Sequence, residues 1–140
     1  MGVVLAVTVA AVSGCGSSDK DDAKPAAKAK TVGLGEATSR FQAAVEKFDT
    51  GGGCVDQQPG TCWEQMQAVM GPARTLRAAM HAQKDTGPEF WSEAYALINK
   101  MEGGIAVGED QGATALGTNR PAVLGSAHEL SRWLDAHPAE

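Results

Sequence analysis

Few side chains in this 140-residue chain can carry covalent, redox or metal chemistry: three cysteines, five methionines and three histidines. Cys54 and Cys62 flank Pro59-Gly60, a pair that can turn the chain back. Their spacing is neither the CxxC of a redox dithiol nor the CxxCH of covalent haem. Met66 and Met70 stand one helical turn apart, and Met80 precedes His81. Thioether with imidazole suits Cu(I), which makes these four the weak candidates for a metal site. Methionine at helical spacing is more often core filler, however. Neighbouring residues such as Met80 and His81 do not share a helix face. No HxxxH or HExxH pattern occurs. The core reading is therefore preferred, and no cofactor is expected.

Acid–base and nucleophilic groupings are equally thin. Glu89 and Glu93 share a helix face, and Glu109-Asp110 are adjacent in a loop. General acid–base catalysis needs a cleft and pKa values pushed apart, so both pairs read as solvated acidic surface. The stretch around Asp110 lacks the alternating oxygen ligands of a calcium loop. Gly125-Ser126 followed by His128 is not the G-x-S-x-G elbow, and on a helix these two side chains diverge. Gly-rich residues 103–119 match neither phosphate-binding nor dinucleotide-binding fingerprints. His81, His128 and His137 read as surface or terminal residues. A non-enzymatic protein is expected.

The elements that position these residues are helical. Leu34, Ala37, Phe41, Ala44, Val45 and Phe48 recur at three- and four-residue steps, one face of a helix. Gly51-Gly52-Gly53 ends it. Trp63, Met66, Val69, Met70, Ala73, Leu76 and Met80 keep one apolar phase across Gly71-Pro72, which predicts a single helix kinked at Pro72. Arg74, Arg77 and Lys84 suit its C-terminal half. Pro88 fits a first helical position, opening a third stripe through Phe90, Trp91, Ala94, Leu97, Ile98 and Met101. Pro121 opens the last, with Val123, Leu124, Ala127, Leu130, Trp133 and Leu134, and His137-Pro138 stops it. The three tryptophans, 63, 91 and 133, fall in or beside these stripes and read as core. Residues 106–119 are expected as a long, mobile surface loop with a short helical turn near 110–116. Its length exceeds the usual helix link, and loops on a rigid scaffold often carry partner contacts. No strand or repeat is evident. The expected fold is all-α: a small antiparallel bundle of about four helices.

The net charge is −5. From Leu34 onward there are eight Lys/Arg against fourteen Asp/Glu. Such a surface is unsuited to nucleic acid, whose phosphates need a basic patch, and to electrostatic docking on anionic lipid.

The N-terminal stretch has a different character. An apolar run from Val3 closes on Val12-Ser13-Gly14-Cys15, and polar residues follow at once. The run is too short to span a bilayer as a helix, which takes about 20 residues. It has the form of a secretory h-region at a cleavage site. Val12-Ser13-Gly14-Cys15 resembles the lipobox of bacterial, in composition actinobacterial, lipoproteins. The resemblance covers residues 3–15 only. It implies that residues 1–14 are a signal peptide and that Cys15 is acylated and becomes the mature N-terminus. The protein would then be a lipoprotein on the extracytoplasmic face of the cell membrane, anchored by its acyl chains. Met1-Gly2 departs from the pattern in carrying no Lys or Arg, so a basic segment is expected upstream.

With Cys15 acylated, Cys54 and Cys62 remain as an even pair in an exported protein, and a disulfide is expected. So short a loop contributes roughly 2.5 kcal/mol by the chain-entropy model. Residues 16–33 hold almost no large apolar side chain and are expected as a disordered linker spanning on the order of 20–25 Å. Residues 34–140 form the helical domain. The function expected is a lipid-anchored, non-enzymatic binding or interaction module at the cell envelope. The alternative is a small-molecule or copper-type metal carrier using the bundle interior or the Met/His residues.

Overall fold

The computed structural model describes residues 31–138. The signal segment, Cys15 and nearly all of the expected linker lie outside the described residues. The described chain is all-helical. Helix α1 spans Leu34–Thr50, α2 Trp63–His81, α3 Ser92–Ile105 and α4 Ser126–Ala136. A π-helical turn, Pro121–Gly125, leads directly into α4.

The helices form a closed ring in which each packs on the next and α4 returns to α1. Cross-helix bonds give their directions. Gln42 Nε2 donates to Asp135 Oδ1 at 2.6 Å, while Asp49, farther along α1, meets His128, farther back on α4. The His81 ring stacks on Tyr95 at 4.7 Å, whereas Arg74, earlier in α2, reaches Glu102, late in α3. Both pairs are therefore antiparallel, as the amphipathic pattern requires.

The apolar stripes supply the core. Ala37, Phe41 and Val45 of α1 are buried, with Met66, Met70, Leu76 and Met80 of α2 and Ile98 and Met101 of α3. Val123 of the π-helical turn and Leu130 and Trp133 of α4 complete it. Full burial of such side chains stabilises by about 1.5–3 kcal/mol each. Trp91 and Trp133 are buried against each other, with ring centroids 5.8 Å apart, while Trp63 is half-buried.

The glycine run caps α1 as expected. Gly53 N–H donates to Phe48 O at 2.9 Å, and Gly52 and Gly53 take φ of 93° and 61°. A side chain is disfavoured at both. Helix α2 runs unbroken through Pro72. The proline lacks an N–H, so the Ala68 carbonyl loses its helical donor. Ala68 is exposed, and solvent can take the donor's place.

Two expectations need correction. Pro88 is not the first residue of a helix. Residues 88–91 form turns in which Trp91 N–H donates to Pro88 O and Ser92 N–H to Glu89 O, and α3 proper begins at Ser92. The 106–119 connection has no helical turn, and it is tied down rather than free. Asp110, Gly112, Asn119 and Arg120 are all buried. Glu109 remains exposed, but Asp110 is not solvated acidic surface.

Candidate functional site

Two features stand out: a buried polar clasp on the cysteine loop, and an apolar cavity between the C-terminal end of α1 and the start of α2.

The clasp is built on Asp110 and Arg120. Arg120 Nε donates to Asp110 Oδ1 at 2.7 Å and Nη2 to Oδ2 at 2.8 Å, a two-point contact. The two side chains are 0% and 7% exposed, so this pair sits in the interior. Its remaining bonds reach the loop between Cys54 and Cys62. Arg120 Nη1 donates to Asp56 O at 2.6 Å, and Nη2 to Gln58 O at 2.9 Å and Thr61 Oγ1 at 3.0 Å. The Cys62 amide donates to Asp110 Oδ2 at 2.9 Å, and the Gly60 amide to Asp110 O at 2.8 Å.

A buried charge needs both a partner and hydrogen bonds, and this pair has both. The Asp110 carboxyl is held well below the usual carboxylate range, first by the Arg120 hydrogen bonds. Burial opposes the shift, and the Cys62 and Gly112 amides add to it. The same contact raises Arg120.

The neighbouring residues finish the clasp. Asn119 Nδ2 donates to Gly104 O at 2.8 Å and Glu109 O at 2.7 Å, and Asn119 Oδ1 accepts from the Gln111 amide at 3.1 Å. Thr118 Oγ1 donates to Gly112 O. The Ala113 amide donates to Gln57 O at 2.9 Å. Gly112 has φ 80°, and a Cβ there would stand 2.8 Å from Gln57 O. Glycine is thus required where the two loops touch.

Cys54 and Cys62 stand at disulfide distance, with Cα atoms 5.5 Å apart. Cys62 is fully buried and Cys54 partly so. The cysteine loop is therefore held twice, by the cysteine pair closed at its ends and by Arg120 across its middle.

The cavity opens between the end of α1 and the start of α2. Its volume is about 400 Å³, and it is lined by Ala44, Lys47, Phe48, Gly51, Gly53, Gln65, Ala68 and Val69. That volume lies within the range of small-molecule pockets, about 300–1,000 Å³. Phe48 is held in place from the far side. Its ring meets the His128 ring edge-on at 6.0 Å, and His128 Nε2 bonds Asp49 Oδ1 at 2.8 Å. Gly53 lies against the Phe48 ring, and a Cβ there would be 3.5 Å from it. Two polar side chains reach the lining. Lys47 is exposed and forms no ion pair among the described residues. Gln65 Oε1 is buried without a hydrogen-bond partner. Buried polar atoms are normally bonded.

A second cavity of about 280 Å³ lies at the other end of α1, lined in part by Thr38, Gln42, Trp91 and Asp135. Thr38 Oγ1 and Trp91 Nε1 are also buried without partners. Ordered water can serve such groups.

The candidate metal ligands do not share one environment. Met66, Met70 and Met80 are buried in the core, while His81 is exposed on Tyr95. Among the described residues, no three His, Cys, Asp or Glu gather as metal ligands would. Ser126 is buried, and His128 turns Nδ1 to Leu124 O at 2.8 Å rather than toward it. Glu89 and Glu93 are exposed.

Arg120, Asn119, Lys47 and Gln65 were not among the sequence candidates. An arginine beside a Pro-initiated helix carries no signal of burial. The half-exposure of Ala44 and Phe48, both within a regular apolar stripe, is the trace that the cavity leaves on the sequence's face pattern. Comparison with protein-family models, curated proteins and solved structures finds no match.

Proposed function

We propose that this chain is a lipid-anchored, extracytoplasmic, non-enzymatic binding module whose ligand is a small, largely apolar molecule. The cavity of about 400 Å³ between α1 and α2 is the observation that carries the ligand part of this reading. Its lining is mostly apolar, and its two polar side chains, Lys47 and Gln65, are not a nucleophile with a base. Such a surface gains from excluding water around an apolar guest.

The address rests on Val12-Ser13-Gly14-Cys15 and its likeness to a lipobox. Among the described residues, no helix is long and apolar enough to cross a membrane. Acyl chains on Cys15 would then supply the membrane contact. Fractionation tests this. The native chain is expected with membranes, and Cys15→Ala is expected in the soluble fraction. Membrane retention of Cys15→Ala would contradict the anchor.

A further inference from the structure

We infer that the α1–α2 cavity selects amphiphiles with one apolar body and a single anionic head, with Lys47 and Gln65 as the head-group residues. This rests on the cavity being a ligand site at all, and it adds what the ligand must carry.

Size and polarity favour a ligand with few polar groups over a peptide. A bound peptide brings an amide donor and acceptor with every residue, and burial leaves each one costly unless it is paired. The lining offers two polar side chains only. A hydrocarbon chain or ring asks for nothing but contact, which the Phe48 ring, Val69 and Ala68 supply.

The head group follows from the charge of Lys47, with the Gln65 side chain also in the lining. Lys47 is the only charged side chain in the lining, and it has no carboxylate partner among the described residues. An ammonium beside an apolar cavity in an otherwise acidic protein favours an anion locally and disfavours a cation. The Gln65 amide also lines the cavity, with one end buried and unpartnered. An amide can present either its oxygen or its NH2. Where its NH2 faces the cavity, the amide can donate to a carboxylate drawn by Lys47.

Equilibrium dialysis of the full chain tests this with three probes sharing one tail, each below its micelle concentration: decanoate, decanol and decyltrimethylammonium. Decanoate is expected to bind about two- to fivefold more tightly than decanol, the size of one partly exposed ion pair, with the cation weakest. Lys47→Ala should erase the preference of decanoate over decanol, and Lys47→Arg should restore it. Ala68→Trp, which fills the cavity from an exposed helix position, should abolish binding of all three. Ala44→Phe fills it from the opposite wall and serves if the first variant loses its helical circular dichroism. Equal binding of decanoate and decanol, unmoved by Lys47→Ala, would overturn the head-group assignment and leave the cavity as an apolar site. No binding of any probe, or binding unaffected by folded cavity-filling variants, would overturn the site itself.

Discussion

Asp110 and Arg120 form a buried two-point ion pair, with Nε–Oδ1 at 2.7 Å and Nη2–Oδ2 at 2.8 Å, whose spare donors grip the backbone of the cysteine loop. Ten residues apart in sequence, they close the Gly-rich connection on itself and fasten it to a segment some sixty residues away. The connection between α3 and α4 is thus a structural part of the domain.

Arg120→Ala is expected to be costly. It strands the Asp110 carboxylate in the interior and frees the carbonyls of Asp56 and Gln58. Breaking one side of a buried pair costs about 3–5 kcal/mol, a large share of the roughly 5–15 kcal/mol that holds a domain together. Urea unfolding followed by circular dichroism measures it. A loss under 1 kcal/mol would show that the pair contributes little.

Acid should weaken the fold through Asp110. Its carboxyl lies below its ordinary value in the folded chain, so the folded state holds its proton less tightly than the unfolded state does. Such a group contributes its full stability above the unfolded pKa of about 3.9, and loses it as pH falls toward the folded value. Glu102, lowered by its hydrogen bonds from Arg74, shifts the same way, with less effect because that pair is more exposed. Unfolding free energy should therefore be nearly flat above about pH 5 and decline below about pH 4. In Asp110→Asn the decline should be shallower. An identical slope in that variant would assign the acid sensitivity elsewhere.

How much of this was legible in the sequence divides along physical lines. Helix stripes are local, since a three- and four-residue period reports which side is apolar. The four-helix reading rested on that alone. Val45, Leu76 and Leu130 are buried where the period put them. Pro88 misled because Pro-Glu suits a first helical turn, and the chain spends those residues on i,i+3 turns instead. The clasp was not legible at all. Asp110 next to Glu109 looks like a solvated pair, and nothing local tells which carboxylate faces an arginine that the fold brings back. The cavity sat inside a correctly read stripe, where Ala44 and Phe48 are apolar without being buried.

The cysteine pair and the clasp should back each other up. Without reductant, no free thiol is expected at Cys54 or Cys62. Cys54→Ser with Cys62→Ser should lower stability by roughly 2.5 kcal/mol while the helical circular dichroism persists, because Arg120 still binds the loop. Adding Asp110→Asn should cost more than the sum of the separate losses, since each tie then fails without the other. Thiol labelling of both cysteines in the untreated protein, or strict additivity in the combined variant, would contradict this.

The central claim, that the α1–α2 cavity holds a small apolar guest in the working protein, is tested most directly by native mass spectrometry of the chain gently extracted from the membranes of cells that produce it. The account predicts a non-covalent adduct of small-molecule mass that is released on denaturation and absent from the folded Ala68→Trp variant. A chain that is bare under these conditions, or an adduct retained equally by that variant, would contradict it.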